Sequence, residues 1–370
     1  MAHESVTLKK PRTKTVEPVE SSHYSDPALR IEFCHPAYDP PHDILLTLFG
    51  FDYLGGGIHH NTALVACAIV AGNQWCGYFT ETRDGPSVTA ACDEILRGKK
   101  YYFHVIDPQN GGDELTSHPI YKYPIIPLFR EWVFPHDNLP RGWDDISGLK
   151  LSAVPSTRRT NPAASTESHK QPCRLSYDRD CTSSAHLCPR SESDWFAGNR
   201  MGRYGLDPEV KGIHAVNDVR NILSLRYDLH QDFDNRKFVF VPKKSKSAPE
   251  TVIVAHMLKP THELGLLYHN FQLHPTPNIS PEFLLARFAW TIFPSLRTFL
   301  ECGVPRWLLR TETVGNQKAS RAVETSAVTC HYLASVPETR SKKRQRASDS
   351  SIDRWDRSIV IIYQEDIVDR

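Results

Sequence analysis

The sequence has 370 residues, enough for one large or two medium domains with a buried core. Its formal net charge of +1 selects no class of partner, and its nine cysteines are dispersed without a C-x-x-C pair, which argues against a disulfide framework. The longest apolar run, residues 62–72, is too short to cross a bilayer and the N-terminus lacks a secretion signal, so we expect an intracellular protein without membrane contact.

The first predicted domain, residues 28–150, combines strands with a helix. Residues 43–51 (DILLTLFGF) and 100–106 (KYYFHVI) have the composition of buried strands. Between them, residues 55–75 begin with three glycines and continue as an apolar run that predicts a helix. The glycine segment is not followed by the lysine and Ser/Thr of a nucleotide-binding loop, so it indicates a tight turn. This part of the chain therefore predicts an α+β unit with no chemistry of its own.

Three segments have the composition of unstructured chain. Residues 1–27 are polar and residues 151–170 are rich in Ser, Thr, Pro and Ala, which predicts a disordered arm and a linker. Residues 306–370 predict a mostly disordered basic tail. The tail holds a candidate nuclear import signal, with a merely solvated basic run as the alternative, at Lys342, Lys343, Arg344 and Arg346.

The second predicted domain, residues 171–305, begins with a hairpin followed by a helix. Residues 173–177 and 183–189 are expected to form two short paired strands. Residues 226–234 (RYDLHQDFD) predict a helix that packs across this hairpin.

The rest of this domain predicts two strands and a long helix. Residues 237–242 and 251–258 have strand character and are separated by a basic loop over residues 243–250. Residues 280–303 have a Ser cap, Pro and Glu in the first turn, apolar residues at helical spacing and a glycine stop. The fold class expected for the chain is α+β.

Four polar residues in the hairpin and helix region form a candidate catalytic group. His230 and Asp234 are four residues apart on the predicted helix, so their side chains lie on one face and can bind a single cation. His186 offers an imidazole suited to act as a general base near neutral pH. Asn221 can bridge backbone groups of a loop or orient a histidine without adding charge. Hydrolysis of a phosphodiester requires such a base, a cation and an orienting group.

The order and spacing of these residues resemble the HNH endonucleases, whose ββα-metal fold carries a His, an Asn and a second His in that order. The stretch over residues 218–234 is similar to a branch of HNH domains found in many fungal proteins. The resemblance implies an HNH ββα-metal module embedded in a larger α+β chain with disordered termini. The matching pieces are Ala185 with His186, then Asn221, then eight residues followed by His230 and Asp234.

Carried over residue by residue, the resemblance implies an endonuclease that hydrolyses DNA. His186 is then the general base that activates water, and Asn221 fixes the active-site loop. His230 and Asp234 bind the divalent cation, for which Mg²⁺, Mn²⁺ and Zn²⁺ all suit mixed nitrogen and oxygen ligands. The sequence does not indicate an oligomeric state.

The sequence departs from the family pattern at two points. Many HNH enzymes carry an acidic residue or a histidine directly before the base as a further metal ligand, but Ala185 stands there and cannot coordinate. Asp218, Asp228 or water are the alternatives for that ligand. The segment between His186 and Asn221 is also long, at 34 residues.

Two other classes of function stay open. One is a catalytically inactive HNH-like platform that binds nucleic acid or protein, with Ala185 as the trace of lost metal binding. The other is a zinc-stabilised structural module, whose ligands would be Cys173, Cys181, Cys188 and His186.

Basic residues around the module are candidate DNA contacts, because neutralising phosphates supplies most of the non-specific affinity for DNA. Solvated surface charge is the alternative for each of them. The candidates are Arg190, Arg226, Lys243 and Lys244.

Overall fold

The part of the chain whose structure can be described covers most of the two predicted domains and a segment after them. The computed structural model describes residues 6, 8–9, 29–53, 55–107, 120–144, 146, 171–206, 210, 212–245, 248–261, 263–276, 279–314 and 317–336. The predicted linker, most of the predicted arm and the candidate import signal lie outside these residues. All of the described residues belong to one compact unit, Met1–Glu338.

Strands and helices are interspersed along the chain, which gives the expected α+β fold. The strands are β1 (Arg30–Cys34), β2 (Ile44–Phe49), β3 (Ile58–His59), β4 (Tyr78–Thr80), β5 (Ile95–Leu96), β6 (Lys100–His104), β7 (Thr182–His186), β8 (Ile222–Arg226), β9 (Phe238–Ser245), β10 (Ala248–Met257), β11 (Phe271–Gln272), β12 (Arg306–Val314) and β13 (Gln317–Thr325). The helices are α1 (His60–Val70), α2 (Ser193–Gly198), α3 (Tyr227–Asp234), α4 (Leu264–Tyr268), α5 (Pro281–Ile292), α6 (Arg297–Glu301) and α7 (Ala327–Ser335). Among the described residues, none of these helices has the length and apolarity needed to cross a bilayer.

A four-stranded sheet organises the first half of the described chain. Its strand order is β2-β1-β6-β4, with β1 antiparallel to β2 and parallel to β6. Phe33 on β1 is fully buried and pairs with Leu46 on β2. The strands predicted over residues 43–51 and 100–106 are confirmed as β2 and β6.

Two apolar helices, α1 and α5, contact each other in the core. Nearly every residue of each helix is buried, which is the pattern of a helix surrounded by protein on all sides. Helix α5 begins where predicted, with Ser280 before it and Pro281 at its first position. It ends earlier than predicted because Pro294 lacks an N–H, and a 3-10 turn over Phe293–Leu296 separates α5 from α6.

The elements β7, β8 and α3 form a ββα unit whose hairpin differs from the predicted one. The antiparallel partner of β7 is β8, with His186 opposite Ile222 and Ser183 opposite Leu225. Residues 173–177, predicted as the partner strand, form a turn instead, closed by the Tyr177 amide donating to the carbonyl of Cys173 at 2.9 Å. The prediction of a strand there is wrong because the true partner follows the long insertion, and sequence proximity favoured the nearer segment.

The basic loop predicted over residues 243–250 is largely part of a sheet. Strand β9 continues through Lys243 and Lys244 to Ser245, and β10 starts at Ala248. Lys243 pairs with Val252 in the antiparallel ladder of a sheet ordered β11-β10-β9. The loop prediction was wrong because the composition of a charged strand does not differ from that of a charged loop.

The predicted disordered tail is wrong for residues 306–336. Strands β12 and β13 pair in an antiparallel hairpin, and α7 follows. Leu308 is fully buried, and the backbone around it pairs with Ile125. Order therefore extends past the predicted end of the second domain.

Candidate active site

The ββα unit places His186 at the end of a strand, facing away from the core. Strand residues alternate between the two faces, so the fully buried Ala185 points into the core and His186 projects to the other side. Nε2 of the half-buried His186 ring lies 3.3 Å from Oδ1 of Asn217. Because an amide oxygen only accepts, Nε2 donates, and the lone pair of the neutral ring is then on Nδ1.

The surroundings of His186 favour the neutral imidazole that a general base needs. Burial of the ring, helped by the positive charge of Arg190, lowers its pKa below the ordinary value of 6.5, although Asn217 and Asp234 act in the opposite direction. The base form is therefore the main form near neutral pH.

His230 and Asp234 converge on α3, as the four-residue spacing predicted. Nε2 of His230 lies 3.2 Å from Oδ2 of Asp234. The other ring nitrogen, Nδ1, lies 2.7 Å from Oγ of Ser183 on β7, so the ring is held between the hairpin and the helix. The carboxylate is about half exposed, at 55%, whereas the His230 side chain is 23% exposed.

Asp234 carries a negative charge that its neighbours stabilise. Burial alone would raise its pKa, but the hydrogen bond with His230 and the charge of Arg287 outweigh it and lower the pKa below the usual value. Nη2 of Arg287 lies 3.4 Å from Oδ1 of Asp234, so Oδ1 faces the arginine and Oδ2 faces the histidine. An ionised carboxylate with one oxygen turned toward an imidazole can supply one of two adjacent ligands for a cation.

The His230 and Asp234 pair fits a divalent cation. Two adjacent ligands of an octahedral ion at about 2.1 Å are roughly 3 Å apart, and the two facing atoms here are separated by 3.2 Å. The contact of Nδ1 with Ser183 orients the ring so that Nε2 points toward the carboxylate. Metal-binding histidines are usually oriented in this way, by a hydrogen-bond partner on the ring nitrogen that does not bind the metal. Two protein ligands leave most positions to water and substrate, which suits a catalytic ion better than a structural one.

The Asn221 side chain is hydrogen-bonded to the segment that follows His186. It is fully buried, and its Oδ1 accepts from the Cys188 amide at 2.7 Å. Its Nδ2 donates to the carbonyls of Cys188 at 3.0 Å and Val216 at 2.8 Å. The side chain thus joins the segment just after His186 to the end of the long insertion, and it holds both ends of that insertion next to the hairpin.

The two carboxylates considered as substitutes for a ligand at Ala185 have other partners. Asp218 caps a 3-10 turn by accepting from the Arg220 amide at 2.8 Å and also accepts from the Leu206 amide at 2.9 Å. Asp228 accepts from Arg226 at 2.7 and 2.8 Å.

The candidate DNA contacts have different surroundings. Arg190 is exposed and close enough to His186 for its charge to affect that ring. Arg226 lies between two carboxylates, with Nη1 2.7 Å from Asp178 and Nε 2.7 Å from Asp228, so much of its charge is already neutralised. Lys244 is half-buried.

The prediction that Lys243 contacts DNA is wrong, because its side chain is completely enclosed. Its Nζ donates to Oδ1 of Asp52 at 2.6 Å and to Oδ1 of Asn270 at 2.8 Å, and it lies 3.0 Å from Nδ1 of His256. These three acceptors satisfy all three N–H groups of an ammonium. The lysine is therefore a structural cation inside the protein.

The same cluster contains a group of metal-ligating residues that sequence reasoning missed. Among the described residues, the one set of three such groups whose ligand atoms converge is Asp52, His256 and His269. The ammonium of Lys243 lies between Asp52 and His256, so this group already holds a cation. It lies in the interior, its members are far apart in sequence, and no local spacing signals it.

The zinc hypothesis based on cysteines finds no support in the described residues. Cys173 and Cys188 are buried and Cys181 is exposed. None of them belongs to a converging set of three ligands in this part of the chain.

Two further residues at the site were also missed. Asn217, the partner of His186, lies four residues before Asn221 in a 3-10 segment, where nothing in the sequence marks it. Arg287 could have been noticed as the single charged residue between Phe283 and Ile292 on a helix that is otherwise nearly all apolar.

The ββα arrangement with a histidine on the strand and a His-Asp pair on the helix defines a nuclease-type module. Residues 171–241 match the family model described as HNH endonuclease, a range that includes β7, β8 and α3. The chain thus carries a domain of the HNH endonuclease family, which confirms the resemblance and indicates nuclease-type chemistry on nucleic acid. No curated protein and no solved structure matches the chain.

Proposed function

We propose that this protein is a metal-dependent endonuclease that hydrolyses DNA phosphodiester bonds at the ββα unit. The observation that carries the proposal is that Nη1 of Arg287 lies 3.4 Å from the carbonyl of His186 and 3.5 Å from Oδ1 of Asp234, so the strand end that carries the His186 imidazole lies close to the His230 and Asp234 pair on α3. A base and a cation site close together are the two requirements of phosphodiester hydrolysis by water.

His186 is the general base of the proposed reaction. Its Nε2 donates to Asn217, which leaves the Nδ1 lone pair to take a proton from water. Asn221 keeps the loop after the base in place through its bonds to Cys188 and Val216.

His230 and Asp234 are the proposed ligands of the divalent cation. A bound cation would hold the scissile phosphate and neutralise charge on the leaving oxygen. Asp234 would hold the cation through the oxygen that faces His230, and Ser183 keeps that imidazole in place. Arg190, exposed near the base, is the proposed contact to a neighbouring phosphate.

A second candidate function is an inactive HNH-like platform that binds nucleic acid. It is favoured by the buried alanine at position 185, where many family members supply a ligand, and by the engagement of Asp218 and Asp228 elsewhere. On this reading DNA binding persists without cleavage.

Nicking of supercoiled plasmid by the purified protein, with and without Mg²⁺ or Mn²⁺, separates the two candidates. His186→Ala should lower the rate by about 10²- to 10⁴-fold, the usual contribution of a general base. His331→Ala, which removes an exposed histidine from α7, is the matched control and should cleave normally. Salt-sensitive DNA binding without nicking under any metal would favour the platform.

A further inference from the structure

Helix α5 carries one arginine, Arg287, inside an apolar environment. Its side chain is 1% exposed, and its neighbours along the helix include Leu284 and Phe288, both buried. Removing a guanidinium from water is costly, and burial lowers its pKa to about 10. An arginine in this position needs compensating contacts, and α5 lies outside the residues that match the HNH family model.

Apart from a contact with the ring of Trp290 on α5 itself, at 4.6 Å, the compensating contacts of Arg287 are in the nuclease module. Its guanidinium stacks on the ring of Phe233, with 3.6 Å to the ring centroid, and Nη2 donates to the carbonyl of the same residue. Both Nη atoms approach Oδ1 of Asp234, at 3.4 and 3.5 Å. Nη1 also points to the carbonyls of His186 at 3.4 Å and Leu187 at 3.5 Å.

These contacts connect the two elements that carry the catalytic groups. The carbonyls of His186 and Leu187 are at the end of β7, where the base lies. Phe233 and Asp234 are at the end of α3, where the cation ligands lie. The guanidinium of Arg287 therefore fixes the end of β7 relative to the end of α3. It also holds the Asp234 carboxylate with Oδ1 toward the arginine and Oδ2 toward His230.

We propose that Arg287 is a positioning residue of the nuclease site, which sets the separation of the base from the cation ligands and the orientation of the Asp234 carboxylate. This role rests on the function proposed above. Arg287 does not contact substrate, because its side chain is enclosed. The nuclease site is then completed from outside the HNH module by α5.

The shape of the guanidinium matters as much as its charge. Arginine presents several N–H donors in one plane and can stack on an aromatic ring while donating to several acceptors. Lysine keeps the charge but has a single compact ammonium, so it cannot hold Asp234 and both backbone segments at once. Arg287→Lys is therefore the informative substitution.

The chain offers a matched control in Arg306. It is likewise buried, stacks on Phe299 at 3.5 Å and donates to the carbonyls of Phe299 and His42. Arg306→Lys removes the same kind of group outside the nuclease module. It therefore shows how much replacing a buried arginine by lysine changes Mn²⁺ affinity and nicking through general effects on the fold.

The test measures Mn²⁺ affinity by electron paramagnetic resonance, together with kcat and KM for plasmid nicking. Arg287→Lys should weaken Mn²⁺ binding about 10- to 100-fold, the usual effect of losing a partner of a metal ligand, and lower kcat with KM for DNA unchanged. Arg306→Lys should leave both quantities at the wild-type level. In an Asp234→Asn background, Arg287→Lys should weaken Mn²⁺ binding little further, because the proposed effect acts through Asp234.

Equal Mn²⁺ affinity in wild type and Arg287→Lys would overturn the inference and leave the nuclease function standing. Equal losses in the two lysine variants would also overturn it, because a merely structural role affects both. Absence of Mn²⁺ binding and of nicking in the wild type would overturn the proposed function and the inference with it.

A measurement on the wild type decides the question should Arg287→Lys not fold. The guanidinium nitrogen resonances of Arg287, observed with ¹⁵N-labelled arginine, should shift as Mg²⁺ is added, and those of Arg306 should not. Unchanged Arg287 resonances at Mg²⁺ concentrations that support nicking would contradict the positioning role.

Discussion

At the scale of single residues, the hydrogen-bond partner of Nε2 determines which nitrogen of His186, the proposed base, can accept a proton. The contact of His186 Nε2 with Asn217 leaves Nδ1 as the proton acceptor, and burial keeps the ring neutral near pH 7. An imidazole without such a partner would rotate and would exchange its two nitrogens. The orientation of the base thus depends on a residue in the long insertion.

Asn217→Ala should slow plasmid nicking without abolishing it. Losing one orienting hydrogen bond of about 1.4 kcal/mol corresponds to roughly a tenfold lower kcat. Single-turnover nicking at saturating Mg²⁺ measures the effect, and Asn138→Ala, at an exposed position outside the module, is the control. An unchanged rate in Asn217→Ala would show that this contact does not position the base.

Lys243 shows that composition does not distinguish a buried lysine from an exposed one. The run KKSKSAPE has the composition of a basic loop, and its first two lysines are candidate DNA contacts from the sequence alone. In the structure the first is enclosed with Asp52, His256 and Asn270, and only the second is partly accessible. Asp52 is nearly two hundred positions away in the chain, so no local pattern indicates the pairing.

At the scale of elements, the sequence predicted the helices and strands better than their pairing. The helix predicted over residues 226–234 is confirmed as α3, because the helical spacing of apolar residues is a local property. The convergence of His230 and Asp234 followed from helical spacing alone. The hairpin was wrong because the partner of β7 lies across the long insertion, and strand pairing is a long-range property.

The C-terminal hairpin is the element that sequence composition missed altogether. Strands β12 and β13 are rich in polar residues, so hydrophobic composition does not mark them as strands. Their attachment comes from Leu308, buried beside Ile125, and from Arg306, which reaches the carbonyl of His42. The hairpin therefore belongs to the folded unit.

Ending the chain at residue 305 should destabilise it, whereas ending it at residue 336 should not. The shorter chain loses the burial of Leu308, worth about 2–5 kcal/mol, and the bonds of Arg306. A loss of this size lowers the Tm of a folded unit of this length by roughly 3–8 °C, measured by circular dichroism on both truncated chains and the full chain. Equal Tm values for all three would mean that the hairpin is dispensable.

At the scale of the whole molecule, the HNH module is built into a larger fold. Lys243 on β9 is bonded to Asp52 in the segment between β2 and β3, and α1 packs against α5. Arg287 on the same α5 contacts the carbonyl of His186 on β7 and the carboxylate of Asp234 on α3. The division of the chain into domains at residues 150 and 171 stays a prediction, but these contacts join segments on both sides of it.

The buried histidines predict that the fold weakens in acid. Burial lowers the pKa of His35 and His59 to about 3 and that of His269 to about 4. Their folded pKa values lie below the unfolded value of about 6.5, so the unfolded chain binds more protons below that pH. The stability that the neutral rings contribute is fully present above about pH 6.5 and is lost progressively as the pH falls through the range between 6.5 and their folded pKa values of about 3 to 4.

Urea unfolding at several pH values between 7.5 and 4.5 measures this effect. Below pH 6, each buried histidine should lower the free energy of unfolding by up to about 1.4 kcal/mol for each pH unit of acidification. His35→Gln should make the slope shallower by one such increment, whereas the exposed His331→Gln should not change it. A free energy of unfolding that does not change from pH 7 to pH 5 would contradict the neutral burial of these rings.

The central claim is that the imidazole of His186 takes the proton from the attacking water. The most direct test is chemical rescue, in which plasmid nicking by His186→Gly is measured in Mg²⁺ with increasing free imidazole. The account predicts that imidazole restores nicking to His186→Gly by at least about tenfold, within the range of general-base effects, and restores nothing to Asp234→Ala. Wild-type rates in His186→Gly without imidazole, or a folded His186→Gly protein that imidazole does not rescue, would contradict the claim.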